Sequence, residues 1–164
     1  MFAQEAKVVN ILPPKDISAA AHSVAYVDVS NYQKATFFVQ LGAVGATGSS
    51  KNISFKQAAN TSGSSSANLP IVNHWNNITA IGSASVANDT YAKKAAVASS
   101  GNTLALTAST SNVMHIFEFD TDELTDGKNA IGIGVATTSA ATLCGVTAIL
   151  SGARYAKALP PSAL

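Results

Sequence analysis

Three histidines, one cysteine and a knot of acidic residues are the side chains of this sequence best suited to chemistry. His22, His74 and His115 lie far apart, without the paired spacing or cysteine partners of a zinc site. His115 falls in phase with Phe117 and Phe119 in VMHIFEFD, so it is expected to face the core as a hydrogen-bonded histidine. Asp120, Asp122, Glu123 and Asp126 cluster in FEFDTDELTDGK. A calcium loop needs a glycine close behind three alternating oxygen ligands. That order is missing, so the cluster reads as a solvated turn between strands. Cys144 sits in the apolar run TLCGVTAIL with no neighbouring base, and is expected to be a buried small hydrophobe rather than a nucleophile. No metal and no cofactor are expected.

Nucleotide-binding patterns are missing too. There is no Walker loop and no G-x-G-x-x-G, and IGIGV (131–135) is an apolar strand with small residues rather than a strand-to-helix turn. No G-x-S-x-G elbow occurs, and nothing local pairs two carboxylates for acid–base work. The chain is therefore expected not to be an enzyme. The patch most like a sugar site is NHWNN (73–77), where Trp75 would stack on a pyranose ring while Asn73, Asn76 and Asn77 bond its hydroxyls. The competing role for Trp75, the single tryptophan, is to anchor the core, and that reading is preferred because tryptophan is highly buried on average.

These residues need a scaffold, and the bulk properties bound it. A chain of 164 residues suits one domain. It can bury roughly 70% of the surface exposed when unfolded, enough to fold without metal or disulfide. Charged residues make up 12%, against about 25% in ordinary soluble domains. Ala, Ser, Thr, Gly and Asn fill the gap, which suggests a surface spent on protein contacts. A formal net charge of +1 gives no field to steer the chain to nucleic acid or an anionic membrane, so neither is expected as a partner. One cysteine allows no intrachain disulfide. The opening MFAQEAKVVNILPPKD is not a secretion signal, and no apolar run approaches the roughly 20 residues of a membrane helix. The chain reads as made in the cytosol. The N-x-S/T triplets at Asn52, Asn60, Asn77 and Asn88 are then a matter of composition.

The dominant period is two. Phe37, Val39 and Leu41 share one face; Ile53 and Phe55, Phe117 and Phe119, and Ile131 and Ile133 repeat the pattern. Phe38 breaks it and implies that the second face is also partly covered. A long strand is expected between Thr142 and Tyr155, with bends at Gly145 and Gly152, and weaker strands at 75–81 and 103–107. DELTDG is expected to form one helical turn. Residues 87–99 read either as a helix or as an irregular extended segment. Short strands separated by Gly/Ser turns indicate an all-β fold, an antiparallel β-sandwich of jelly-roll or Greek-key type with extended terminal arms. Pro13-Pro14 and Pro160-Pro161 mark off the arms, giving an N-terminal arm at 1–16, a body at 17–159 and a tail at 160–164. Val8, Val9, Ile11 and Leu12 are too apolar for a solvated arm, so they are expected to pack, and a neighbouring subunit is the preferred surface.

The run YVDVSNYQKATFFVQLGA (26–43), the strand ending in KQA, the following Ser/Gly loop, FEFDTDELTDGKNAIGIGV (117–135) and AILSGARYAKALPPSA (148–163) together resemble small structural proteins of tailed bacteriophages. The resemblance spans about Ala25 to Ser162 and matches 84–98 least well. It implies a capsid decoration (cement) protein that binds the outside of an icosahedral shell and reinforces it. The partners implied are the major capsid protein and sister copies in a homodimer or homotrimer. The place implied is the capsid surface of the virion, after synthesis in the host cytoplasm. No catalytic residues are carried over. Val8, Val9, Ile11, Leu12, Tyr26 and Phe38 are the expected contact residues. Two other roles remain open: a tail or head–tail connector component, and a carbohydrate-binding or host-adhesion module using Trp75.

Overall fold

The computed structural model describes residues 6–18, 20–42, 52–77, 91–97, 101–106, 113–138 and 141–154. Within them lie eleven strands. They are β1 (Ala6–Asp16), β2 (His22–Asp28), β3 (Tyr32–Leu41), β4 (Asn52–Ala58), β5 (Ala67–Asn68), β6 (Asn73–Asn77), β7 (Tyr91–Lys93), β8 (Thr103–Ala105), β9 (Val113–Asp120), β10 (Ala130–Val135) and β11 (Leu143–Ala153). The helical turn expected in DELTDG appears as a 3-10 helix at Thr121–Glu123. Residues 91–97 are strand followed by irregular chain, not helix; the flanking parts of the 87–99 expectation lie outside the described residues.

The pairing is that of one long antiparallel hairpin rolled up on itself. First pairs with last, β1 with β11; then β2 with β10, β3 with β9, and β4 with the short β5 and β8. Rolling then sets β11 beside β3 and β10 beside β4. The nested pairs alternate between two sheets, β1-β11-β3-β9-β6-β7 and β2-β10-β4-β5 with β8 also on β4. This is the jelly-roll form of the expected sandwich. The β6–β7 hairpin lies outside the nested pairs, as an extension of the first sheet beyond β9.

The period-two pattern places the core. Phe37, Val39, Leu41, Phe55, Phe117, Ile131 and Ile133 are all buried between the sheets, as their alternation requires. Phe55 of one sheet reaches three rings of the other, with centroids 5.2 Å from Phe37, 4.9 Å from Phe117 and 4.8 Å from Phe119. Separations of this size suit tilted and edge-on aromatic contacts.

The division at residue 16 is corrected. Residues 6–16 are not a separate arm but edge strand β1, laid along β11 of the same chain. Leu12 is buried in the core, Val9 and Ile11 pack partly buried against it, and Val8 points outward at 55% exposure. The two prolines are accommodated because β1 is an edge. The ladder shifts register between Leu12 and Lys15, where prolines without N–H groups would break it anyway. The tail at 160–164 lies outside the described residues.

Candidate functional site

Strand register assembles one transverse row across the outer face of the larger sheet. Asn10 of β1 faces Thr147, Thr147 faces Phe38, Phe38 faces Ile116, Ile116 faces Trp75, and Trp75 faces Lys93. The next row runs Val8, Ile149, Thr36, Glu118 and Asn73. Phe38, Ile116, Trp75 and Ile149 are half-buried, and together they give the face an apolar centre. Charge sits around that centre. Lys93 Nζ lies 5.5 Å from the centroid of the Trp75 ring, and Lys34 pairs with Asp120 at 3.5 Å.

Trp75 is therefore not the core anchor that its type suggests. In β6 it is His74 that turns inward, at 3% exposure, while Trp75 turns out. The physical reason is register: His74 stands opposite the buried Phe117, and Trp75 opposite the outward Ile116. The sugar-like patch is also divided. Asn73 shares the outer face with Trp75, whereas Asn76 lines a cavity on the inner side.

Tyr26 takes an unexpected position on the outer face of the smaller sheet. It stands opposite Gly132 on β10 and lies over it, half-buried. A Cβ on Gly132 would fall 2.6 Å from Tyr26 Cε1 and 2.6 Å from Val24 Cγ1. The same ring meets the turn at Gly63, whose φ of +79 favours glycine and whose Cβ would fall 2.8 Å from Tyr26 Cε2. Tyr26 and Val24 thus lie sideways in a trough made by glycine. Of the six expected contact residues, Leu12 is core, Val9 and Ile11 are partly buried and Tyr26 is folded onto its own sheet. Val8 and Phe38 belong to the two outward rows.

The inner side holds a pair of titratable side chains that sequence spacing did not reveal. His74 Nε2 and His115 Nδ1 are 2.9 Å apart although the residues are 41 positions apart in sequence. The His74 ring stacks on Phe117 at 4.7 Å and 8°. Burial holds both imidazoles down at about 4, with the Lys94 charge adding to the effect on each. His74 Nδ1 and Asn76 Oδ1 are buried with no hydrogen-bond partner. Beside the pair opens a cavity of about 270 Å³ lined by His74, Asn76, Lys94, Leu104, Leu106 and His115, among others. His115 was expected in the core; its partner was not. No sequence signal pointed to the partner, since His74 lies just before the strand expected at 75–81. Their pairing depends on the β6/β9 register.

The acidic cluster is a solvated turn, as expected. Asp122 pairs with Arg154, whose guanidinium also donates to Thr121 Oγ1 at 3.0 Å and to the Tyr32 carbonyl at 3.3 Å. These contacts tie the turn to the end of β11. Gln57, in phase with Ile53 and Phe55 and buried with them, fixes the loop after it by donating to Thr125 Oγ1 at 2.9 Å and accepting from Thr125 N at 2.8 Å. Cys144 is fully buried, and burial pushes its thiol up to about 11. Among the described residues, no three His, Cys, Asp or Glu side chains gather as metal ligands, and no helix is long and apolar enough to cross a membrane.

No protein-family model and no curated protein matches the chain. In structure it is similar to the SPBc2 prophage-derived protein YomS, with a TM-score of 0.46 and 13% sequence identity over 89% of this chain and 92% of that one.

Proposed function

We propose that this chain is a virion structural protein that binds the outside of a phage capsid and reinforces it, with the major capsid protein and sister copies as its partners. The sequence resemblance over Ala25 to Ser162 supports the reading. The observation that carries it is the row Phe38–Ile116–Trp75, half-buried apolar side chains set side by side by three hydrogen-bonded strands. A reinforcing part needs wide, weakly charged contact area. Many copies bound together tolerate modest affinity at each contact, because avidity compensates.

The test is binding of the purified full chain to shells that lack it. Phe38→Asp should lower shell occupancy at least about tenfold, which corresponds to about 1.4 kcal/mol, measured at a temperature where the variant keeps its full strand circular-dichroism signal. Occupancy in hundreds of copies per shell fits decoration. A few copies confined to the tail or the neck would replace it with the connector role. Shell binding that is indifferent to both Phe38→Asp and Trp75→Ala would remove this face from the account. Specific glycan binding lost in Trp75→Ala would favour the adhesion role.

A further inference from the structure

We propose that the β6–β7 hairpin is an acid-operated flap: proton entry into the His74–His115 contact releases it while the rolled body stays folded. This inference is independent of the capsid reading.

The geometry supplies the trigger. At neutral pH one imidazole donates its N–H across the 2.9 Å gap to the bare nitrogen of the other. One added proton leaves a shared N–H···N bond. A second puts hydrogens on both facing nitrogens, and the contact has to open. The groups facing the pair give no relief. β6 contributes His74 and Asn76, β9 contributes His115, and the chain after β7 contributes Lys94. Among the described residues, the β8 region contributes Leu104, Ala105 and Leu106. Among the described residues lining the cavity, Lys94 is the only charged side chain, and its charge opposes any protonation beside it.

Topology supplies the moving part. Among the described residues, β6 pairs with β9 on one side and β7 on the other, and β7 pairs with β6 alone. Backbone bonds from Lys94 N to the His74 carbonyl (2.8 Å) and from Val97 N to the Ile71 carbonyl (3.0 Å) fasten the hairpin's return. None of the nested pairs from β1/β11 to β4/β5 passes through it. Such edge elements belong to the low-stability end of a fold, where local opening precedes global unfolding. The sign of the pH effect follows from burial. Both histidines hold values near 4 when docked, against 6.5 when free. Docking is therefore at full strength above about 6.5 and weakens as pH falls towards 4.

The single tryptophan sits on the moving strand, so Trp75 emission reads the hairpin while far-UV circular dichroism reads the body. On acidifying the full chain from neutral pH, the Trp75 emission should shift in a step below about pH 6 while the strand signal persists. His74→Phe keeps a ring on Phe117 and removes one of the two facing imidazoles, so with only His115 left to take up a proton the step should become shallower and move to lower pH. Lys94→Glu alters an exposed side chain and places a carboxylate beside the pair; the docked histidines then carry their protons at less cost, so the midpoint should fall by about half a pH unit or more. If His74→Phe does not fold, the Lys94→Glu midpoint decides. The proposal fails if the Trp75 step coincides with loss of the strand signal. It also fails if no step occurs or if Lys94→Glu leaves the midpoint where it was.

Discussion

Replacing Gly132 by alanine puts a methyl group where Tyr26 and Val24 already lie. The new Cβ would be 2.6 Å from Tyr26 Cε1, 2.7 Å from Tyr26 Cδ1 and 2.6 Å from Val24 Cγ1, all well inside carbon–carbon contact. The Tyr26 ring cannot slide aside freely, because its other edge meets Gly63. It must rotate off the sheet, or β2 must move away from β10. Overpacking of this kind costs about 1–3 kcal/mol. In a Val24→Ala, Tyr26→Ala background the obstruction is gone. There Gly132→Ala should be neutral or stabilise by about 0.4–1 kcal/mol, since alanine reduces the freedom of the unfolded chain. The coupling between the two sets of substitutions should then be about 1–3 kcal/mol, as expected for residues in direct contact. Urea unfolding of the four proteins measures it. The reasoning is refuted if Gly132→Ala costs the same in both backgrounds, or less than about 0.5 kcal/mol in the native one, because Tyr26 would then not lie on this glycine.

Phe55→Ala should cost about 3–5 kcal/mol, because it empties the centre of the aromatic cluster, whereas Phe38→Ala on the outer face should cost well under half as much; denaturant midpoints distinguish them. Cys144 should react with a thiol reagent at least about a hundredfold more slowly in the folded protein than in denaturant, because burial both shields the sulfur and opposes its thiolate; similar rates would place it at the surface. Deleting residues 1–16 should abolish cooperative thermal unfolding, since it strips β1 and Leu12 from the core; a truncated chain that melts like the full one would show that this strand is dispensable.

Period-two alternation carried most of the fold. Phe37, Val39 and Leu41, like Ile131 and Ile133, have polar or small neighbours with the one exception of Phe38, and a strand can bury only one such set. The jelly roll was one of two topologies left open, because strand order depends on which edges meet after the chain has rolled, and no local residue encodes that. The arm at 1–16 was misread for a related reason. Pro13-Pro14 is a strong local break, yet an edge strand tolerates it, and whether β1 has an edge to join depends on β11, more than a hundred positions away. NHWNN offers no contrast between apolar and polar positions, so its facing could not be read. The register against β9 turned Trp75 out and His74 in, joining His74 to His115. The outer row has the same origin: Phe38, Ile116 and Trp75 come from three segments, and each carries only half of a two-faced pattern. Local alternation says which residues share a side of their own strand. Only the hydrogen-bonded register between distant strands puts those sides next to one another, and both candidate sites of this protein are made at that step.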